Sequence, residues 1–545
     1  RIMFSHRRFY VTCTLLFTLV GTSAAQTPSV PKLLVVLVVD QMRADYVERF
    51  QGQWTKGLRR LIDEGAWFRQ AAYPYFQTNT CVGHATISTG ALPETHGIIG
   101  NAWHDRASAM LRRCADDESS LIVSYGAPIA GGLGPASLRA PTLSDELRIQ
   151  GEGATRVVSL SMKPRAAIML AGQSADVVVW RDDTSLVTSG VYSKQPVSLV
   201  KQFISDNPIA QDFGTTWTRT FPADAYLYDP ITEHSRPFEG WDTSLPHDLV
   251  GRGESPDSLF YTQWAASPRS DDYLVRMATT FIDALDLGQQ SAIDYLGISF
   301  SALDHAGHRF GPRSHEVQDV LIRLDETLGH LFDHLDATVG QGGYVVSLSA
   351  DHGAIPIPEA LVNQQIDAGR IPAADIVSAA EQAAAEFLGP GEHVARFEEQ
   401  DFYFSPGVYD RLAEKPGALD QIADAIESVE GVARVYRADT IRDRRDTGNS
   451  VERALARSYY PGRSGDLLIV VRPYWTTSTN AAGHGTSYRY DTRVPILLMG
   501  SGILPGQHLA PVTPADIAPT LAYLSRITLA YADGRVLHEA LISLQ

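Results

Sequence analysis

Six residues in this chain are of the types that bind hard or borderline cations, and their spacing makes them a set. Asp304 and His308 form an Asp-x-x-x-His pair, Asp351 and His352 are adjacent, and Asp40 adds a third carboxylate. His484 stands in the glycine-flanked loop Gly483-His484-Gly485. Carboxylate and imidazole ligands in this mixture suit zinc-like ions with open positions. Two such ions can clamp both the attacking and the leaving oxygen of a displacement. The nucleophile candidate is Thr80, in Gln77-Thr78-Asn79-Thr80-Cys81, just ahead of a helix expected over Cys81 to Gly90. A hydroxyl there meets free backbone N–H groups and the positive end of the helix, which suit a phosphoryl group. Locally, Thr80 also reads as a plain N-cap. Thr78 is the rival hydroxyl and Cys81 the rival nucleophile. His305 neighbours two ligand candidates but breaks their spacing, so it reads as a supporting residue. His84 reads as support or helix packing, and Asp45 as a cap or surface group.

The elements that must position these residues are legible as apolar runs. Leu33 to Val39 ends at Asp40, Val157 to Met162 at Lys163 and then Arg165, Tyr295 to Leu303 at Asp304, and Tyr344 to Ala350 at Asp351. Val494 to Met499 ends at Gly500. Nearly continuous apolar runs mark strands buried on both faces, and ligands in such folds sit beyond the carboxyl ends of the strands. The expected fold is α/β, a mostly parallel central sheet flanked by helices, with inserted cap or crown subdomains. Glu316 to Thr338 has one apolar face at helical spacing, which leaves Asp325, His330 and His334 to a solvated face. Trp54 to Gly65 reads as another covering helix. Residues 26–184, 276–360 and 466–545 read as three parts of one core. Residues 185–275, poor in periodicity, read as an insertion. Residues 361–465 read as an α+β cap, with helices over Ala379 to Phe387 and Leu419 to Val429 and strands over Phe402 to Phe404 and Val432 to Val435. The strand Asp466 to Val471 is expected to reopen the core.

Residues 1–25 have the form of an export signal. Arg1, Arg7 and Arg8 precede the apolar run Phe9 to Val20, and Ser23-Ala24-Ala25 closes it with small residues. No later run is long and apolar enough to span a membrane. The 545 residues carry 46 Lys+Arg against 63 Asp+Glu, a formal charge of −17, and loss of three arginines with the signal takes this to −20. A surface so acidic argues against nucleic-acid binding but leaves room for a small anion in a local basic pocket. Cys81 and Cys114 either pair in an oxidising compartment or stand as two thiols.

The motifs VVDQMRADY, YPYFQTNTCVGHATISTGALPETHGIIGN, SMKPRAAI, SALDHAGHRFGP, SADHG and GHGTSYRYDTRVPILL together carry a resemblance. They run from about residue 33 to 500, and the chain resembles the alkaline phosphatase superfamily. The branch is that of the PafA-type periplasmic alkaline phosphatases, near the nucleotide pyrophosphatase/phosphodiesterases. The resemblance implies that Thr80 becomes a phosphothreonine. It implies one zinc on Asp304, His308 and His484, and a second on Asp40, Asp351 and His352 that also binds Thr80. It gives Asn101 a non-bridging phosphate oxygen, and Lys163 and Arg165 the remaining phosphoryl charge. Read without it, Lys163 and Arg165 are ordinary charges after a strand.

The function so implied is an alkaline phosphatase, a two-Zn2+ phosphomonoesterase of broad range that releases inorganic phosphate, which is both product and inhibitor. Its setting is periplasmic or secreted and monomeric, with no membrane span after signal cleavage. Cations aimed at the transferred oxygens favour monoesters, which carry about one more negative charge than diesters. Sulfatases of the superfamily need Cys-x-Pro-x-Arg, which Cys81-Val82-Gly83-His84-Ala85 does not supply. The alternatives are a phosphodiesterase or nucleotide pyrophosphatase on the same two metals, and a non-catalytic binder of zinc or phosphate.

Overall fold

The computed structural model describes residues 30–229 and 233–542; the expected export signal lies outside them. An 11-stranded mixed sheet runs through the molecule. At its middle, Tyr344–Ser349, Leu33–Val39, Asp294–Phe300, Val157–Ser161 and Val177–Asp182 lie side by side and parallel. The first four are buried along their whole length, which is why their sequences read as unbroken apolar runs. Val38 pairs with Ser299 on one side and Ser349 on the other, and Ser299 pairs with Ser161. The four strands therefore end level, and whatever follows them meets at one edge.

Away from these strands the sheet is mixed, with both antiparallel and parallel pairs. Ile496–Gly500 runs against Tyr344–Ser349, so it does not deliver its C-terminal Gly500 to the ligand edge. Burial on both faces produces the same apolar run in either direction, so sequence alone left this orientation open. Ser185–Ser189 pairs with Val177–Asp182 and extends the sheet.

A smaller antiparallel sheet of four strands, in the order Val394–Glu398, Asp401–Phe404, Leu467–Val471 and Val432–Arg437, carries the helices Ala373–Leu388 and Ala418–Glu427 on a separate apolar core. The strand expected to reopen the main core at residue 466 thus belongs to this second sheet.

One polar residue departs from its expected place. Asp325 is not on a solvated face of His315–Thr338 but buried. Its carboxylate accepts from the backbone N–H groups of Thr55, Lys56 and Arg59 at 2.7, 2.8 and 3.0 Å. Those are free donors at the start of the helix Gly57–Glu64, which has no side-chain cap of its own. Asp325 is a cap supplied by a distant helix. His330, by contrast, is exposed, and His334 pairs with Asp283 at 2.8 Å. Asp325→Ala would leave three N–H groups without their charged acceptor, and loss of about 2 kcal/mol of unfolding free energy is expected. Chemical denaturation of the wild type and the variant measures it.

Candidate metal centre and nucleophile

Each level strand end delivers a functional side chain. Asp40 follows Leu33–Val39 directly, Lys163 follows Val157–Ser161 by two residues, and Asp351-His352 follow Tyr344–Ser349 by two. Asp304 sits in the first turn of the helix Ala302–Phe310 that follows Asp294–Phe300, and His308 lies one turn on. Asp40 and Asp351 are fully buried and Asp304 nearly so. The backbone is forced to make this cluster. Gln41, directly after Asp40, takes a left-handed φ of 69°, a strained choice of the kind kept at functional sites. It aims its N–H at Asp351 Oδ1 (3.0 Å) and its side-chain amide at Asp304 Oδ1 (2.6 Å). A side chain at Gly83 would run into the Asp351 backbone, and one at Gly307 into the Gln41 amide.

The imidazoles are oriented from behind. His308 Nδ1 lies 2.7 Å from the Ala482 carbonyl, His484 Nδ1 2.9 Å from that of Thr78, and His352 Nδ1 2.9 Å from that of Gly353. A carbonyl only accepts, so each Nδ1 carries the proton and each Nε2 is left with its lone pair. Those Nε2 atoms face the carboxylates. His308 lies 3.1 Å from Asp304 Oδ1 and His484 4.0 Å from the same oxygen. His352 lies 3.5 Å from Asp40 Oδ1 and 3.4 Å from Asp351 Oδ2. The His352 and His484 rings stack with centroids 3.5 Å apart. Two groups have ligand atoms close enough to share an ion: Asp40, Asp351 and His352, and Asp304, His352 and His484.

The charges make the same case. Lys163 Nζ lies 2.6 Å from Asp40 Oδ2 and 2.5 Å from Asp304 Oδ2, one cation against three buried carboxylates. Burial and the neighbouring Asp40 push the Asp351 carboxyl well above the usual range. Burial also raises Asp304, but His308 and Lys163 outweigh it and hold that carboxyl well below. Asp40 Oδ1 and Asp351 Oδ2 are buried without a hydrogen-bond donor. Orphaned carboxylate oxygens facing oriented imidazoles fit divalent metal ions.

Thr80 opens the helix Thr80–Thr89, and Asn79 holds the N-cap position without making a side-chain cap bond. The Thr80 hydroxyl is therefore not spent as a cap; it is buried and lies 3.4 Å from His352 Nε2. The rivals are engaged elsewhere. Thr78 Oγ1 donates to the Thr486 carbonyl at 2.8 Å. Cys81 forms a disulfide with Cys114, which resolves the cysteine alternatives in favour of pairing. That bridge ties the start of the helix to the hairpin Ala102–Asp105 and Met110–Arg113, next to Asn101. Asn101 Oδ1 accepts from the Cys81 N–H at 3.0 Å. Arg165 and Lys163 line the same cavity as Asn101.

The sequence profile described as type I phosphodiesterase / nucleotide pyrophosphatase matches residues 34–493. The chain belongs to this family. It is 31% identical over 519 residues to alkaline phosphatase PhoV of Synechococcus elongatus, covering 92% of this chain and 91% of that one. It is 30% identical over 515 residues to alkaline phosphatase PafA of Elizabethkingia meningoseptica, covering 91% and 92%. The crystal structure of wild-type PafA superposes with a TM-score of 0.84 at 29% identity, over 94% of this chain and 99% of that one. The resemblance read from the motifs and the α/β class are borne out. Among the described residues no helix is long and apolar enough to cross a membrane.

Several contacts in this member of the family were not anticipated. Glu399 sits at the turn between Val394–Glu398 and Asp401–Phe404, with φ 56°. Its carboxylate accepts from the Asn101 N–H at 3.1 Å and from the Asn79 side-chain amide at 2.6 Å. Burial and Glu398 push it up to about 8. Gln400 donates to the Gly485 carbonyl beside His484. The smaller sheet thus reaches both flanks of the site through one turn. The turn gave no local signal beyond two polar residues ahead of the short strand candidate Phe402 to Phe404. His84 bridges the Thr80 carbonyl and the Ser299 hydroxyl at 2.8 Å each. His305 lines the cavity that holds Lys163. Asp45 pairs with Arg43 and Arg49.

Metal retention will depend on pH with a defined sign. Burial opposes charge on His308, but Asp304 outweighs it and raises that imidazole; Asp351 is raised as well. A raised group holds its proton to higher pH, and a metal must displace that proton. Protein dialysed at pH 8 is expected to keep its metal and protein dialysed at pH 5 to lose it, read as metal per chain by elemental mass spectrometry.

Proposed function

We propose that this chain is an alkaline phosphatase that hydrolyses phosphate monoesters through a phosphothreonine at Thr80. The observation that carries this reading is the Thr80 hydroxyl itself. It is buried, free of capping duty, and within 3.4 Å of His352, the residue shared by both groups of ligand-type side chains. Relatives aligned over nine-tenths of the chain carry the name alkaline phosphatase. Asp304, His308 and His484 are assigned to one Zn2+, and Asp40, Asp351 and His352, with Thr80, to a second. Bound there, the two ions would supply Lewis-acid stabilisation of the attacking and leaving oxygens.

The chain's own groups do the rest. Thr80 Oγ gives up its proton to solvent and forms a bond to phosphorus as the bond to the ester oxygen breaks, and the leaving oxygen takes a proton from water. Water then attacks the phosphothreonine from the opposite face, releasing inorganic phosphate and restoring the hydroxyl. Helix N–H groups after Thr80 face the phosphoryl charge. The Cys81 N–H holds Asn101 by its oxygen, leaving the amide N–H groups of Asn101 for a non-bridging oxygen. Arg165 grips as a fork and Lys163 as a point charge, which favours the more highly charged monoester. Lys163 pairs with Asp40 and Asp304, and would be released for this role when those carboxylates hold metal ions. Export to the periplasm, a monomeric state and inhibition by product phosphate complete the reading, with 185–275 and 361–465 as the rim around the site.

Diester hydrolysis on the same ligands is the second reading, favoured by the family description. Turnover of a monoester and of a matched diester decides between them; a higher kcat/KM for the diester would sink the first. Thr80→Ala is expected to lower monoester turnover by about a thousandfold or more, and Lys163→Ala or Arg165→Ala by about a hundredfold. Chelation should abolish turnover and added zinc restore it.

Glu399 supports the same machinery by holding the Asn101 backbone and the Asn79 amide. Glu399→Ala strands both donors, at about 1–3 kcal/mol. Monoester kcat/KM is expected to fall about tenfold or more with metal content unchanged, while Glu399→Gln keeps most of it.

A further inference from the structure

Asn101, Lys163 and Arg165 line a cavity of about 580 Å³, a size that holds a small organic group. The main sheet decides what lines it. Val157–Ser161 and Val177–Asp182 are parallel neighbours, so both open their carboxyl ends on the same edge. The first leads to Lys163 and Arg165, and the second carries Arg181 as its penultimate residue. The disulfide-tethered hairpin adds Arg113 from across the gap. Met162 and Leu133 supply apolar floor between the cations.

The guanidiniums are only partly satisfied. Arg165 Nε and Arg181 Nε are buried without a hydrogen-bond partner. Arg181 turns one N–H to the Asp183 carbonyl. Buried polar donors left unmade are costly, and a guanidinium fork matches a carboxylate or phosphate. Of the acids that line the cavity, Asp183 is exposed, where solvent screens it, and Asp182 is half-buried, as are Arg165 and Arg181; Arg113 is exposed. Glu398 is shared with Arg396 at 3.8 Å.

We propose that this cavity is a leaving-group subsite that selects phosphate monoesters whose leaving group bears a second anion, a carboxylate or another phosphate, held by Arg181 with Arg113. This rests on the monoesterase reading and adds a substrate class to it. Arg165 serves the transferred phosphoryl, and Arg181 the far end of the same molecule.

The test uses matched pairs on the metal-loaded enzyme: benzyl phosphate against 4-carboxybenzyl phosphate, and propyl phosphate against 1,3-propanediol bisphosphate. The wild type is expected to favour the charged member of at least one pair by about tenfold in kcat/KM, mostly through KM. Arg181→Ala should erase that preference while changing the neutral members less than twofold. Arg181→Lys should restore part of it, and Arg113→Ala should reduce it. Preference in both pairs assigns any anion; preference in one assigns carboxylate or phosphate. Absence of preference in the wild type overturns the inference. So does its persistence in Arg181→Ala, or an equal fall in both members, which marks a structural role. Calorimetry with benzylphosphonate and 4-carboxybenzylphosphonate separates this from the activity itself. Lack of turnover on all four esters defeats the monoesterase reading, whereas lack of extra affinity from the carboxylate defeats the subsite.

Discussion

Everything at this site follows from packing Asp40, Asp304 and Asp351 together out of water. Three carboxylates, fully or almost fully buried, with one lysine between two of them, form a charge distribution that a protein interior does not tolerate without cations. Like charges at this range drive one another toward the protonated form, as the raised Asp351 shows. His308 relieves Asp304, but the other two imidazoles do not add charge. Burial pushes His352 down to about 4 and His484 well below its usual value, so both stand neutral. Neutral imidazoles and crowded carboxylates together make a poor ion-pair network but a good ligand set. The same charge excess that would destabilise an ordinary core gives this one its affinity for metal.

The fold holds that cluster by register rather than by local sequence. Four parallel strands end level because Val38, Ser299, Ser161 and Ser349 share one line across the sheet. A one-residue slip would turn every side chain of a strand to the other face. The close approach of the Thr80 helix to the Asp351 turn adds a second demand, met by Gly83. Gln41 accepts a left-handed backbone so that both its N–H groups can reach carboxylates from two other strands. Local strain here is sustained by contacts that come from far along the chain.

This explains what could be read from residue order and what could not. The ligand-type residues were legible because strand ends carry chemistry, and an apolar run ending in Asp or Asp-His is a short-range pattern. The helix ending at Thr338 was legible from its period, and the helices of the smaller unit from their helix-forming residues. Strand direction was not, because Ile496–Gly500 is buried on both faces and would look the same if reversed. Asp325 looked solvated because its partners, the N–H groups of Thr55, Lys56 and Arg59, lie some 270 positions away. Glu399 was invisible for the same reason. Its two acceptor contacts join a turn of the smaller sheet to residues 79 and 101. Cys81 was ambiguous as a nucleophile until its bond to Cys114 removed the thiol.

The formal charge of −17 bears on the site in a way that depends on depth. Exposed carboxylates act through water and salt and fade within about 8 Å. Buried guanidiniums are screened far less, so a few can dominate the potential where a substrate binds even on a strongly acidic molecule. Asp182 and Asp183 share the cavity with Arg165 and Arg181, whose Nε atoms are buried without a partner. Such under-satisfied donors reward ligands that bring negative charge to them. Net charge therefore governs solubility and nonspecific encounters, while the sign of the bound ligand is decided by the few side chains that the strand ends carry inward.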